Sequence, residues 1–366
     1  MKVYRKKRKI FYLTKEDKMG IFSRDKFRLN FFNQFIFTIN IVVILVAYTI
    51  FLNKVFSPSQ IPYFNFISIG FPVIFFIIVL FLVYWVLVSV RRFLLVLILS
   101  SGLFYPIYLS YPIINLNKKS TEISDISVMT FNTHGFKTEG TQELVEQNLT
   151  DIMFFQEGGE KTHKKWRETK LKGYYYEYFA GLSIYSKYPI IYTNRIESTN
   201  TSSSGIAGFA DIDLGTDTIR LINVYMEPMY IDKALVKDVM LSETKEEIEQ
   251  SSKKIENKLV NGMRVHENQL DFLIPFIRKS PHPIILGSDL NSTPSSYEYE
   301  QITKYLKDSY IRAGSGNGTT FHGFKFPIRI DYLFHTQELE VVQAKVIRKK
   351  FSDHFPVIVN YKLHNN

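Results

Sequence analysis

The sequence PIILGSDLNSTP, residues 283–294, joins a short apolar run to a polar loop. The apolar run, residues 283–286, is typical of a buried strand, and Asp289 and Asn291 follow where it ends. Loops that follow rigid strands commonly carry binding and catalytic residues. This stretch therefore predicts a β-sheet that presents a carboxylate and an amide at one strand end.

Four other stretches repeat this arrangement of an apolar run with polar side chains at its end. They are TFNTHG with Asn132, FFQEGG with Glu157, RIDYLF with Asp331, and FSDHFPV with Asp353 and His354. The predicted strands are residues 126–132, 151–156, 182–185, 206–213, 218–225, 283–286, 330–334, 339–345 and 355–361. Short strands bounded by Gly, Asn and Ser favour a layered α/β domain, which we place at residues 121–364.

Helices are predicted at two places in this domain. One lies around residues 142–148. Residues 232–277 contain charged side chains at helical spacing followed by an apolar face, and this pattern predicts two helices. The first of the two is expected to be largely solvated, because a run of charges usually marks an exposed helix face.

The five polar motifs, in this order and at these spacings, resemble the endonuclease/exonuclease/phosphatase superfamily over residues 126–362. Residues 283–334 are most similar to membrane-attached bacterial members. The resemblance implies a four-layer α/β sandwich, in which two packed sheets are flanked by helices, and the hydrolysis of phosphate esters. It also implies a divalent metal, usually Mg²⁺, with Mn²⁺ as the alternative.

The resemblance implies a metal site built from three residues. Glu157 matches the principal glutamate ligand of the family, Asn132 lies beside it, and Asp353 matches a further residue at the metal. Carboxylate and amide oxygens are hard ligands, which Mg²⁺ prefers while keeping several of its waters. The residue types are therefore the ones that a magnesium site requires.

The resemblance implies catalytic roles for four further residues. Asp289 and Asn291 match the pair that positions the attacking water and the phosphate oxygens. His354 matches the histidine that contacts the scissile phosphate or activates water, and Asp331 matches the acid that orients it. An Asp–His couple supplies a proton-transfer group with a fixed tautomer. Whether the histidine or an aspartate takes the proton of the water is left open.

One position departs from the pattern of many members. Where these have a histidine in an N-x-H-L motif, this chain has NVYM, with Tyr225 at the third position. Enzymes similar to exonuclease III also have a tyrosine here, which implies that Tyr225 donates a hydrogen bond to the phosphate. The alternative is that Tyr225 only packs at the edge of a sheet. The departure weakens a resemblance to sphingomyelinases and to DNase I itself.

The other candidate residues are expected to be structural. His134 is predicted to be a loop residue, with a role as ligand as the alternative. The aromatic stretches 174–176 and 321–326 are predicted to pack in the core, with a substrate cleft or contact with a bilayer as the alternative. The remaining histidines are predicted to be structural or solvated: His163, His266, His282, His322, His335 and His364.

The N-terminal third has the composition of a membrane anchor. Three apolar runs, residues 31–52, 64–90 and 93–111, each approach the ~20 residues that cross a bilayer as a helix. Residues 1–120 contain 16 Lys+Arg and 3 Asp+Glu, a net charge of +13. The rest of the chain contains 29 Lys+Arg and 32 Asp+Glu, a net charge of −3. The excess of positive charge therefore belongs to the membrane part, and the α/β domain has no general basic field for DNA.

The distribution of charge predicts the orientation. Residues 1–30 form a basic segment, Arg91 and Arg92 lie between the second and third runs, and only Lys54 lies between the first two. Lys and Arg prefer the cytoplasmic side of a membrane, so the N-terminus is predicted to be inside. The 31–114 anchor crosses the membrane three times, so the catalytic domain is predicted to be outside the cytoplasm. The expected location is a bacterial inner membrane, and the expected partners are the bilayer and a phosphate-ester substrate, without an obligate protein partner.

Three classes of function can be compared: a phosphate-ester hydrolase, a binding module and a transporter. The leading one is a metal-dependent phosphodiesterase or phosphatase, and its alternative is an endonuclease or exonuclease acting on DNA. A membrane-tethered binding module without catalysis is disfavoured because none of the family's polar residues is missing. A transporter is disfavoured because the apolar runs contain almost no charge. The chain has no cysteine, which excludes disulfides and thiolate metal sites.

Overall fold

The structure is a computed structural model that describes residues 15–112, 123–196, 206–229, 239, 241–242, 244–314, 316–323 and 328–363, with side chains from residue 30 onward. The chain divides into two units. The first consists of residues up to Val46 together with Phe76–Ser101, and the second of Ala47–Phe75 together with the residues from Gly102 onward. The predicted residue His364 lies outside the described part.

The apolar part is helical throughout. Its elements are α1 (Lys15–Tyr48), a 3₁₀ helix (Thr49–Lys54), α2 (Tyr63–Val88), α3 (Val90–Ser100), a second 3₁₀ helix (Ser101–Leu103) and α4 (Phe104–Ser110). Three stretches are long and apolar enough to cross a membrane: Asn30–Lys54, Tyr63–Val88 and Val90–Ser110. They coincide closely with the three predicted runs, and the third is interrupted by the second 3₁₀ helix near Gly102.

The first unit is held together around Trp85. This side chain is fully buried, and its indole nitrogen donates to Oδ1 of Asn40 over 3.1 Å. The ring of Phe37 meets it edge to face at 5.8 Å, and the guanidinium of Arg92 lies 5.0 Å from its centre. A tryptophan suits an apolar environment when its one polar group, the indole N–H, has a hydrogen-bond partner.

The second unit contains two six-stranded sheets. The first sheet has the order β11-β12-β1-β2-β4-β3, and the second has the order β5-β6-β7-β8-β10-β9. The strands are β1 (Ile126–Asn132), β2 (Ile152–Gln156), β3 (Tyr175–Phe179), β4 (Leu182–Ser186), β5 (Ile190–Ile196), β6 (Ile206–Asp213), β7 (Thr218–Tyr225), β8 (Ile284–Asp289), β9 (Lys307–Asp308), β10 (Asp331–His335), β11 (Leu339–Val346) and β12 (Val357–Leu363).

The helices of this unit cover the outer faces of the sheets. They are α5 (Thr141–Glu146), α6 (Glu160–Thr169), α7 (Lys245–Arg278), α8 (Tyr297–Ile302) and α9 (Ser309–Ala313). Trp166 of α6 packs in the cluster on the first sheet, and Leu270 of α7 packs in the cluster on the second. Together with the apolar core between the sheets, these layers form the four-layer α/β sandwich that the sequence predicted.

The contact between the sheets explains one glycine of the opening stretch. Gly287 of β8 faces Phe154 of β2, and a Cβ at this position would lie 2.4 Å from the phenyl ring. Both residues are in buried strands, so neither backbone has room to move away. The glycine therefore allows the two sheets to approach each other behind the carboxylate of Asp289.

The prediction of two helices within residues 232–277 is wrong for the described residues. Lys245–Arg278 form one continuous helix, which begins with a capping box between Thr244 and Glu247. Its charged first half and its apolar second half are turns of the same helix, which continues through Gly262 between them. Most of residues 230–243 lie outside the described part.

Sequence reasoning also missed several elements of the sandwich. The edge strands β3 and β5 are partly exposed and lack an apolar run, and α6 is almost entirely charged or polar. These elements are specified by their contacts with neighbouring strands, which hydrophobic periodicity does not report.

Candidate active site

The register of the strands brings the polar motifs to one end of the sandwich. In the first sheet, parallel β1 and β2 place Asn132 opposite Gln156, directly before Glu157. In the second sheet, parallel β7 and β8 place Tyr225 opposite Asp289. Antiparallel β10 begins at the same level, where Asp331 pairs with Asp289. Asp331 thus begins its strand, whereas the sequence predicted a polar residue at the strand's end. The motifs are far apart in sequence, yet their side chains meet at this edge of the two sheets.

Asn132 connects the two sheets through its amide group. Its Nδ2 donates to Oε1 of Glu157 and to Oδ2 of Asp289, each over 2.9 Å. Tyr225 donates its hydroxyl hydrogen to the same Oε1 of Glu157, also over 2.9 Å. Because Asn132 is completely buried and Asp289 is only 1% exposed, this amide fixes the relative position of the two carboxylates.

Two of the site residues have unusual backbone conformations. Glu157 has a φ of 59° and Asn291 a φ of 47°, in the left-handed region that side chains other than Asn and Asp rarely adopt. The turn at Asn291 is supported by Oδ1 of Asp289, which accepts from the backbone N–H of Asn291 over 2.9 Å. The amide of Asn291 in turn donates to the carbonyl of Met226 over 2.9 Å. Strain of this kind commonly occurs at functional sites.

His354 is the centre of a buried Asp–His–Asp arrangement. Its Nδ1 lies 2.9 Å from Oδ2 of Asp331, and its Nε2 lies 3.8 Å from Oδ2 of Asp289. The ring of Phe321 packs on the imidazole at 4.8 Å between centres. The contact with Asp331 fixes the orientation of the ring, so Nε2 is the nitrogen that faces the other carboxylate.

The electrostatic surroundings shift the pKa values of this pair. Burial alone would lower the pKa of His354, but the carboxylates of Asp331 and Asp289 raise it well above its usual value. Burial, reinforced by the negative charge of Asp331, raises the pKa of Asp289 above its usual value. The carboxylates therefore favour the cationic form of the histidine, and Asp289 has an increased affinity for a proton.

The loop that carries His354 is tied to the first sheet. The hydroxyl of Ser352 donates to the carbonyl of Asn132 over 2.9 Å, with Oδ1 of Asp353, 3.2 Å away, as the alternative acceptor. Oδ1 of Asp353 also lies 3.8 Å from Nδ1 of His134, which is 3.4 Å from Oε2 of Glu157. The structure thus brings His134, which was predicted to be a loop residue, to the rim of the site.

The donor set fits a divalent cation. The side chains of Glu157 and Asp353 are about a third exposed, at 31% and 36%. In the part of the chain that the structure describes, no lysine or arginine forms an ion pair with these two carboxylates or with Asp289 and Asp331. Four carboxylates balanced only by histidines leave excess negative charge, and oxygen ligands of this kind suit a hard cation.

A second group of residues also has the spacing of a metal site. One ligand atom each from Asp289, Asp331 and His354 lies within 4.8 Å of the others, and all three residues are buried. Sequence analysis assigned these residues to catalysis and not to the metal. The contacts of His354 with Asp331 through Nδ1 and with Asp289 through Nε2 account for the short distances without an ion.

All eight predicted site residues lie in this connected set, and sequence reasoning missed several residues that support them. Thr320 accepts through its hydroxyl from the backbone N–H of Asp331, and Phe321 and Ser352 position His354 and its loop. Sequence proximity to the motifs was the only signal for them. Tyr174 and Tyr176 pack around Tyr185 in the core, as predicted, whereas Tyr175 between them is exposed.

Most of the other histidines are structural, as predicted. His163, His266 and His335 are fully or nearly fully buried, and each makes a side-chain hydrogen bond. His322 packs with its ring 4.4 Å from that of Phe355. Of the stretch 321–326, residues 324–326 lie outside the described part.

The two-sheet sandwich and its cluster of carboxylates, amides and a histidine define an enzyme of the phosphoesterase class. The model of the endonuclease/exonuclease/phosphatase family matches residues 129–354, and the chain belongs to this family. The protein is therefore a hydrolase acting on phosphate ester bonds, and members of this family typically depend on a divalent metal. A second family model, described as a domain of unknown function, matches residues 33–111.

Solved structures of low sequence identity resemble the chain. A humanized TDP2 of D. rerio has a TM-score of 0.49 and 13% identity, covering 65% of this chain and 98% of its own. A mannosyl-6-phosphatase of Bacteroides thetaiotaomicron has a TM-score of 0.46 and 18% identity, covering 65% and 99%. Among curated protein sequences, none matches this chain significantly.

Proposed function

We propose that this protein is a membrane-anchored, Mg²⁺-dependent phosphoesterase that hydrolyses its substrate outside the cytoplasm. The observation that carries the proposal is the continuous polar connection from Glu157 through Asn132 and Asp289 to His354 and Asp331. This connection places a cation ligand, Glu157, next to a proton acceptor, Asp289, and a cationic phosphate-binding group, His354. Phosphoryl transfer depends mainly on such positioning and charge stabilisation.

The residues that would hold the metal are Glu157, Asn132 and Asp353. Glu157 supports this role because its carboxylate is partly exposed, has neutral donors in Asn132 and Tyr225, and forms no ion pair with a lysine or arginine among the described residues. His354 is a less suitable ligand because its Nδ1 is engaged by Asp331 and its raised pKa favours the protonated ring, which has no lone pair to offer a cation. When bound, the ion neutralises charge on the phosphate oxygens.

The residues of the chain supply the proton transfer. Asp289, with its raised pKa, accepts a proton from the attacking water as the new phosphorus–oxygen bond forms and the ester bond breaks. The leaving oxygen departs with the electron pair of that bond and takes its proton from solvent. Asn291 is held by the carbonyl of Met226 and keeps a second amide hydrogen for the water or the phosphate. Cationic His354, oriented by Asp331, stabilises the negative charge on the phosphate oxygens.

The location outside the cytoplasm is supported by the count of apolar helices and by the basic N-terminal segment. It is also supported by contacts within the second unit. Asn53 and Asn65, at the connection between the first two candidate spans, bind residues of the α/β domain. This connection and the domain must lie on the same side of a membrane, which requires an odd number of crossings before the domain.

The proposal is tested with the full chain in detergent micelles. The substrates are bis(p-nitrophenyl) phosphate, p-nitrophenyl phosphate, DNA, sphingomyelin and phosphoinositides, each with Mg²⁺ and with EDTA. We expect hydrolysis of at least one ester that requires the metal and falls at least ~100-fold in Glu157→Gln. Glu160→Gln, an exposed glutamate at the start of α6, is the matched control. Equal activity in Glu157→Gln and wild type would refute the assignment, and a preference for DNA would favour the nuclease alternative.

A further inference from the structure

The connection between α1 and α2 is built into the α/β domain. Asn53 is 1% exposed and donates from Nδ2 to the carbonyl of Ser295 over 2.9 Å. Asn65 is 2% exposed, donates to Oε2 of Glu298 over 3.0 Å and accepts from the backbone N–H of Tyr297 over 2.7 Å. A flexible tether has no need for two buried asparagines that donate hydrogen bonds to the enzyme.

The partner of Asn65 continues this network toward the active site. Glu298 is completely buried, and its Oε1 lies 2.8 Å from Nδ1 of His266 on α7. Nε2 of the same histidine donates to the carbonyl of Glu227 over 2.6 Å, and Nδ1 lies 3.2 Å from the hydroxyl of Ser292. Burial would raise the pKa of Glu298, but its contact with His266 lowers it, so the carboxylate accepts from its neighbours.

Asn291 and Met226 form a hydrogen bond, and His266 contacts the residue that follows each of them in sequence. Asn291 donates to the carbonyl of Met226, which directly precedes Glu227, and Ser292 directly follows Asn291. Consecutive Cα atoms are ~3.8 Å apart, so a shift of either contacted residue moves the Asn291 turn. The network thus runs without interruption from the start of α2 to the loop that carries Asp289 and Asn291.

We propose that Asn65 is a positioning residue for the active site, which sets the place of Asn291 through Glu298 and His266. The inference rests on the proposed function, since Asn291 is expected to bind water or phosphate there. The consequence is that the connection between the first two apolar helices, together with the start of α2, is part of the enzyme and does more than tether it. Residues 121–366 alone would lack Asn53 and Asn65 and the contacts that they make with residues 295–298.

The test is a double-mutant cycle in the full chain, assayed with bis(p-nitrophenyl) phosphate. Asn65→Leu keeps the size of the side chain and removes its hydrogen bonds, and we expect it to lower kcat about tenfold with less than a twofold change in KM. In an Asn291→Ala background the same substitution should change kcat less than twofold, because the group it positions is gone. The matched control is Asn40→Leu, which removes a buried bond to Trp85 in the first unit and should leave kcat unchanged.

A second measurement does not depend on activity. Hydrogen exchange of the backbone should become faster in residues 289–298 and 226–229 of Asn65→Leu, and stay as in wild type in Asn40→Leu. An equal loss of kcat in both backgrounds, or unchanged exchange in both segments, would overturn the positioning role. If the wild type hydrolyses no phosphate ester, the proposed function fails, while the exchange data still decide whether Asn65 holds this loop.

Discussion

The hydroxyl of Tyr225 donates a hydrogen bond to Oε1 of Glu157 over 2.9 Å, across the gap between the two sheets. Sequence analysis expected the same hydroxyl to donate to a phosphate. A phenol has one hydrogen, so Tyr225 can serve either Glu157 or a phosphate oxygen at a given moment. With Glu157 as its partner, Tyr225 orients the proposed metal ligand, as outer-shell hydrogen bonds commonly do.

Replacement of this tyrosine separates the two roles. In Tyr225→Phe, we expect the Mg²⁺ concentration for half-maximal activity to rise about tenfold, because Glu157 loses one of the two hydrogen bonds that orient Oε1. The measurement is a metal titration of initial rates at saturating substrate. If the metal dependence is unchanged and only KM for the ester rises, the hydroxyl acts on the phosphate instead.

The close contact of the sheets at Gly287 predicts that one methyl group added at this position destabilises the protein. Gly287→Ala should lower the free energy of unfolding by about 1–3 kcal/mol, because the new Cβ would lie 2.4 Å from the ring of Phe154. Gly173→Ala is the control, since no atom lies within 4 Å of its added Cβ. Denaturant unfolding followed by the fluorescence of buried Trp166 measures both. Equal stability of the two variants would contradict the close packing.

Two buried histidines predict a loss of stability in mild acid. Burial lowers the pKa of His163 to about 3, and burial, assisted by the charges of Lys307 and Arg312, lowers the pKa of His335 to about 3. In the unfolded chain both groups bind a proton as the pH falls below 6.5, the ordinary value, while the folded chain does not. Stability is therefore full above pH 6.5 and decreases toward pH 3.

By pH 5 this effect amounts to about 2 kcal/mol for each histidine. The free energy of unfolding, measured between pH 7 and pH 5, should therefore decrease less in His163→Gln than in wild type, by about that amount. An unchanged pH slope in the variant would show that His163 already takes up a proton in the folded protein.

The proposed topology predicts a pattern of labelling. The chain has no cysteine, so Ser59→Cys, Ser89→Cys and Lys172→Cys each introduce a unique thiol, in the first connection, the second connection and the α/β domain. A membrane-impermeant maleimide should label positions 59 and 172 on intact spheroplasts, and position 89 only after lysis. Opposite labelling of positions 59 and 172 would refute three crossings, and labelling of position 89 alone would reverse the orientation.

Buried strands and exposed elements differ in how well the sequence predicts them. Strands β1, β6 and β7 begin and end at the predicted residues, because their apolar runs are buried and end in distinct polar residues. The edge strand β5 gave no such pattern, since most of its side chains are exposed or only partly buried. The helix Lys245–Arg278 was divided into two because its surface changes from charged to apolar along its length, although its backbone does not break.

The sequence by itself determined the class of fold, the three apolar helices and the family to which the chain belongs. Those features are written in local patterns: strand-length apolar runs, uncharged helices and polar residues at strand ends. Only the tertiary structure decided that Asn132 lies between Glu157 and Asp289, and that Asn65 contacts Glu298. These pairs are 25, 157 and 233 residues apart, and such contacts follow from sheet register and packing, which no local pattern specifies.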